Sequence, residues 1–349
     1  MRRLHAYLIS LLLLLVFSCA VLGCQQASEI TTPEAIISPE LIVPSTAPNE
    51  TPYPEVESVT TTSVFSSTTV ERVLSELTKP ENGGRLSGSA EIYQATLYLA
   101  ETFEDIGLAL WNGDSYILSY SNQDMRDNER LDFIIDFHGL RNSDSHNIVG
   151  IIPGLDQTKA IVVSAHYDAI GGGMGALDNA SGVAAMLRVA ENLLFLGDKP
   201  ETDIVFVAFD GEEVGLIGSR FFVPELVERY DELYNINIDS VGMPGIALAL
   251  DISVWADEWD RLLRSDFAKI LDSRGISYID IDAHLASNSD NITFSIHGIA
   301  TLPIGLETER IAEMIHSEND VIDVLDIALI EDISDAVVDF IITHQGTMY

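Results

Sequence analysis

The chain has 349 residues, 47% of them hydrophobic and 21% charged, which suffices for one large or two modest domains and is too polar for a multi-span membrane protein. Its 18 basic and 55 acidic side chains give a formal charge of −37, a field that repels nucleic acid and concentrates cations, whether metal ions or substrates with a free amine. The two cysteines, Cys19 and Cys24, both fall in the N-terminal apolar segment, so the rest of the chain has no thiol for a disulfide framework or a thiolate metal site.

Arg2 and Arg3 precede an apolar run through Leu8, Ile9, Leu11 to Leu15, Val16 and Phe17 that ends on small Gly23, the pattern of a secretory signal over residues 1–23. Its ending, Val21-Leu22-Gly23-Cys24, resembles the lipobox of bacterial lipoproteins, which implies acylation of Cys24 and a membrane-anchored protein outside the cytoplasm, at the cell surface or in the periplasm. Residues 24–69 are rich in Ser, Thr, Pro and Glu, as in Thr31-Thr32-Pro33-Glu34, and read as a disordered tether. At the end of that region Val64 to Val73, which runs past residue 69, is the stretch that could instead open the folded domain as a strand or helix.

Residues 70–349 alternate apolar runs with helical patterns and show no internal repeat, which points to one layered α/β domain. Glu91 to Phe103 reads as a helix with Ile92, Ala95, Leu97, Leu99 and Phe103 on its apolar side. Asn147–Ile152 and Ala160–Ala165 are short apolar runs parted by a turn at Pro153-Gly154, as expected of buried strands. Ser181–Leu196 has Val183, Met186, Leu187, Ala190, Leu193 and Leu194 at helical spacing. Ile204–Phe209 and Tyr234–Ile238 are further strands, and Asp326–Ile342 is a closing amphipathic helix through Ile327, Ile330, Ile333, Val337 and Ile341.

Acids and histidines stand at the ends of these strands, where open α/β sheets build their sites. His166 and Asp168 follow the second strand two residues apart, so Asp168 could bond the back of the imidazole and fix its tautomer. Asp178, in Asp178-Asn179-Ala180-Ser181-Gly182, sits just before a helix, free to bind a cation or to cap that helix. Glu212 and Glu213 follow the Ile204–Phe209 strand; adjacent side chains diverge, so one can ligate while the other acts as a base. Asp239 ends another apolar run, and His316 comes much later in Ile315-His316-Ser317-Glu318-Asn319-Asp320. Imidazole plus carboxylate without thiolate suits zinc, and two such ions sharing one carboxylate can polarise a carbonyl beside an activated water, which is machinery for amide hydrolysis.

From about Asn147 to Asp323 these segments, in this order, resemble the zinc-dependent exopeptidases of the M28 aminopeptidase family. The resemblance implies a three-layer α/β/α sandwich on a mixed, largely parallel sheet, and an aminopeptidase acting on peptides with a free N-terminus. It implies two zinc ions per chain, with His166, Asp178, Glu213, Asp239 and His316 as ligands. Asp178 would bridge, His166 and Asp239 would serve one ion, and Glu213 and His316 the other. Glu212 would be the general base and Asp168 the partner of His166. One departure stands out: where many relatives have Ser-Asp-His and Gly-Ile-Pro-Ala, this chain has Ser289-Asp290-Asn291 and Gly298-Ile299-Ala300, on the substrate side of the pocket.

Singly, each feature has a plainer reading: a structural histidine, a helix cap at Asp178, a solvated acidic turn at Glu212-Glu213. Their co-occurrence favours the site. His284 and His297 are the fallback imidazoles, whereas His138, His146 and His344 read as surface or loop residues. Trp255, Trp259 and Tyr278 could line the substrate pocket but read better as core or interface packing, and Glu331-Asp332 reads as a solvated face. Asn49, Asn179 and Asn291 match the glycosylation pattern, but a glycan on Asn179 would block the site. Three other functions compete: glutaminyl cyclisation, which related proteins perform with one zinc; a carboxypeptidase or other amide hydrolase on the same ions; and a non-catalytic binding module, whose usual sign is loss of a ligand or the base. Neither loss is present here.

Overall fold

The computed structural model describes residues 68–80, 84–122, 140, 143–170, 172–251, 256, 258–281 and 289–349. The signal and lipobox with Cys19 and Cys24, Asn49, the tether to residue 67, His138, Trp255 and His284 lie outside these residues.

Among the described residues nine strands form one sheet: β1 (Ala109–Leu110), β2 (Ile117–Ser121), β3 (Asp144–Ile152), β4 (Asp156–His166), β5 (Thr202–Phe209), β6 (Glu232–Asp239), β7 (Leu248–Asp251), β8 (Tyr278–Ile281) and β9 (Ala300–Leu306). Their order is β1-β3-β5-β4-β6-β9-β7-β8, with β2 also on β3. The central run β5-β4-β6-β9 is parallel, and antiparallel pairs β3–β5 and β7–β9 extend it on each side. All eight residues of β5 are buried, which accounts for the unbroken apolar run Ile204–Phe209 within it: a strand covered on both faces has no solvent side.

Alternate residues of β4 feed two cores. Ile161, Val163 and Ala165 face one layer, while Ala160 and Val162 face the other. The first layer holds α1 (Thr68–Leu77), α2 (Ala90–Ile106), α3 (Ser181–Leu196), α5 (Glu258–Arg274) and α8 (Ile327–His344), through residues such as Leu74, Leu99, Met186, Phe267 and Phe340. The second holds α4 (Ile217–Arg229) and α6 (Asn291–Ile296), with Phe222 and Phe294 both against Phe209. The result is a three-layer α/β/α sandwich. The first and last helices of the described chain, α1 and α8, pack on the same side.

Helix α1 begins at Thr68, and Thr69 and Val70 are buried, so residues 68–73 of the Val64–Val73 stretch belong to a helix of the folded part, which opens two residues before the expected boundary at 70; residues 64–67 lie outside the described residues. In α2 the buried side runs through Ile92, Ala95, Thr96, Leu99 and Phe103. Leu97 lies on the opposite side and is 42% exposed, because a two-residue step on a helix turns through more than half a circle. Glu331 is not simply solvated: it pairs with buried Arg188 at 3.3 Å, linking α8 to α3. Trp259 is 46% exposed and lies near Glu232 and Ile299, by the starts of β6 and β9, so it is not a core residue. Among the described residues no helix is long and apolar enough to cross a membrane.

Candidate metal centre

The C-terminal ends of β5, β4 and β6, adjacent in the sheet, deliver three of the expected segments to one place. His166 is the last residue of β4 and Asp239 the last of β6; Glu212 and Glu213 follow β5 by a turn in which Gly211 takes a φ of +75°. Asp178 arrives from the distorted turn Ala176–Ala180 at the head of α3. His316 comes from the segment between α7 (Thr308–Ile311) and the 3₁₀ turn Ile322–Val324.

The structure gathers these side chains into two overlapping sets. In the first, His166 Nε2 is 3.2 Å from Asp178 Oδ1 and 3.5 Å from Asp239 Oδ1. In the second, His316 Nε2 is 3.1 Å from Asp178 Oδ2 and 2.9 Å from Glu213 Oε2. Asp178 belongs to both sets, one oxygen in each. Either group of three could hold a metal ion. The spacing suits that use, since neighbouring ligand atoms about 3.3 Å apart correspond to the edge of a tetrahedron with bonds of about 2.0–2.1 Å.

Asp168 is fully buried behind the first set. His166 Nδ1 lies 3.4 Å from its carboxylate and 3.2 Å from its carbonyl oxygen. The same carboxylate also accepts the N–H groups of Glu212 at 3.0 Å and Glu213 at 3.2 Å. One side chain thus orients an imidazole and the backbone of the glutamate pair together.

The electrostatics favour added positive charge. Burial opposes a charged His166, but Asp239, Glu212, Asp168 and Asp178 outweigh it and hold the imidazolium well above the ordinary histidine range. Hydrogen bonds to Asp178 and Glu213 raise His316 to about 10. Burial lifts Glu213 to about 7. It also pushes Glu212 well above the usual glutamate value, with His166 opposing and Glu213, Asp239 and Asp290 adding to the effect.

Backbone strain converges here as well. The non-glycine residues with left-handed backbone among those described are Arg85, Leu216, Ser240 and His316; one is an expected ligand and one directly follows Asp239. Such conformations persist where surrounding bonds over-determine them, and they collect at functional sites.

Sequence reasoning missed three roles. Asn179 is fully buried and ties the Asp178 turn to the end of β6: Nδ2 donates to Ile238 O at 2.9 Å, and Oδ1 accepts from Gly182 N at 2.9 Å and Ser240 N at 3.1 Å. That burial leaves no room for a glycan. Asp290, buried and raised to about 7 by desolvation, contributes to the same field. Asp320 binds the backbone of the Asp178 turn. The fallback His297 sits near Glu232, at the opposite end of β6 from Asp239, with its Nδ1 bonded to Thr293 O. His146 lies on β3 with Nδ1 2.9 Å from Ser119 Oγ, and His344 ends α8.

Residues 147–341 match the model of peptidase family M28, and the chain belongs to that family. It is 39% identical to Aminopeptidase YwaD of Bacillus subtilis over 107 residues, 29% of this chain and 23% of that protein. The matched stretch thus spans about a quarter of the relative's length. The fold resembles a zinc aminopeptidase from Bacillus subtilis with a TM-score of 0.62 at 17% identity, over 80% of this chain and 95% of the other. It resembles a glutaminyl cyclase from Porphyromonas gingivalis equally, with a TM-score of 0.62 at 18% identity, over 80% and 99%. The fold alone therefore does not choose between the two reactions.

Replacing Asn179 by Ala strips partners from three buried main-chain groups. Urea unfolding should show a loss of about 2–4 kcal/mol; a change below about 0.5 kcal/mol would mean that the turn is held by other contacts.

Proposed function

We propose that the protein is a two-zinc aminopeptidase that removes N-terminal residues from peptides outside the cytoplasm, tethered to a membrane through acylated Cys24. The reading is carried by Asp178, whose two carboxylate oxygens face different imidazoles at 3.2 and 3.1 Å and so serve both donor sets. His166 and Asp239 complete one set and Glu213 and His316 the other, all oxygen and imidazole donors of the kind zinc accepts. When bound, the ion pair would lower the pKa of a water and polarise the scissile carbonyl.

The chain's own residues supply the remainder. Glu212, fixed by its N–H bond to Asp168 and lying in the field of His166 and Asp239, takes the proton from the attacking water and delivers it to the leaving amine. Asp168 holds His166 and the glutamate backbone in place while this happens. The acidic surround attracts the substrate's cationic α-amine, which favours action at the N-terminus. Family membership supports peptidase chemistry, and the second donor set argues against a one-zinc cyclisation.

Peptides with free N-termini should be cleaved and their N-acetylated counterparts left intact in an assay of released amino acids; equal turnover of both would exclude aminopeptidase action. Glu212→Gln should keep its zinc while kcat falls by about 10²–10⁴-fold. A fully active variant would place the base elsewhere.

A further inference from the structure

Two buried charges outside the donor sets grip one turn from opposite sides. Arg85 has no exposed surface and donates only to main-chain carbonyls in the bonds it makes there: Nε to Tyr167 O at 2.6 Å, Nη1 to Leu77 O at 2.8 Å and Met174 O at 2.6 Å, and Nη2 to Gly175 O at 2.9 Å. Its own carbonyl accepts from Ala169 N at 3.1 Å. A guanidinium presents its donors in a fixed planar fork, so these bonds set the relative positions of the strand end carrying His166 and the loop leading to Asp178.

Asp320 is the counterpart. It is 1% exposed, and its oxygens accept from Leu177 N at 2.6 Å and Asp178 N at 3.2 Å, while its carbonyl accepts from Met174 N at 3.1 Å. The cation thus holds the carbonyls of residues 174 and 175, and the anion holds the N–H groups of residues 177 and 178. Asp320 also stands four residues after His316, so it couples the segment carrying that imidazole to the turn carrying Asp178. The packing leaves no slack: Gly175 has a φ of +58°, and a Cβ there would lie 2.9 Å from Arg85 Nη2 and 2.5 Å from the Ala169 side chain.

We propose that Arg85 and Asp320 form a charged clamp on the 174–178 turn that positions Asp178 between the two donor sets, and thereby sets their affinity for metal. The clamp rests on the two-ion reading of the site. Its positive half comes from upstream of the family-matched residues 147–341, from a turn whose backbone is left-handed at both Gly84 and Arg85. Arg85 also lies in the field of Asp168, Asp320, Asp178 and Glu213, which opposes the cost of its burial. Both are positioning residues: neither belongs to a donor set.

The test is zinc titration of the full chain by competition with a chromophoric chelator, for wild type, Arg85→Met, Asp320→Asn and the double variant, each checked for folding by circular dichroism. Each single variant should bind zinc about 10- to 100-fold more weakly, the range seen when groups supporting metal ligands are lost. Because both side chains hold one turn, the double variant should be within about threefold of the weaker single variant. A purely structural role would lower the unfolding temperature and leave zinc affinity at the wild-type value, and that result in the folded single variants overturns the clamp, as does a fully multiplicative double variant. If Arg85→Met does not fold, Arg85→Lys, which keeps the charge but not the planar fork, should still lose at least about fivefold in affinity, and wild-type affinity there overturns the proposal. Zinc binding by the wild type separates the two levels: its absence overturns the metal site and the clamp together, whereas its presence with unchanged variants overturns the clamp alone.

Discussion

Asp178 turns one oxygen toward His166 and the other toward His316, at 3.2 and 3.1 Å, and the two imidazoles come from segments 150 residues apart in the numbering. That shared carboxylate imposes conditions on everything around it. It must be held by its backbone, since both side-chain oxygens are committed. Asp320 binds the N–H groups at the turn, Asn179 ties the turn to β6, and the parallel ladder β5-β4-β6 sets the distances between the strand ends that bring up Glu213, His166 and Asp239. Much of the sheet's role in function is to place these ends side by side.

Placing this many acids together is costly in a chain whose formal charge is already −37. Backbone N–H groups, two imidazoles and the buried Arg85 offset part of the repulsion. Divalent cations would relieve the rest, so binding and folding should be linked: an ion that binds only the native arrangement stabilises it by mass action. On the aminopeptidase proposal, the same negative field would also suit a substrate whose reacting end carries a protonated amine.

The central strands and the chemistry-bearing segments were legible because they carry strong local signals. Ile204–Phe209 is an unbroken apolar run, Ser181–Leu196 has helical spacing, and the acids and histidines occur in a family order, with His166, Glu212, Glu213 and Asp239 at strand ends. The flanking strands were not, for physical reasons: β1, β7 and β8 span two to four residues, too few for an alternation to register. Helix α5 is rich in charge and buries only Leu263, Phe267 and Leu271. Arg85 and Asp320 were hidden differently. In the sequence one is a lone arginine after glycines and the other an acid among acids, and their importance arises only from main-chain groups brought near by the fold. Asn179 shows the same limit, because its motif was recognised while its role as a tie between turn and strand depends on Ile238 and Ser240. Leu97 was placed on the wrong side of α2 since apolar character alone does not say which side of an element faces the core.

The most direct measurement is anomalous diffraction at the zinc edge from crystals of the zinc-loaded protein. Two peaks about 3.5–4 Å apart, with one oxygen of Asp178 at each, are predicted. A single peak, or two that do not share Asp178, would contradict the account.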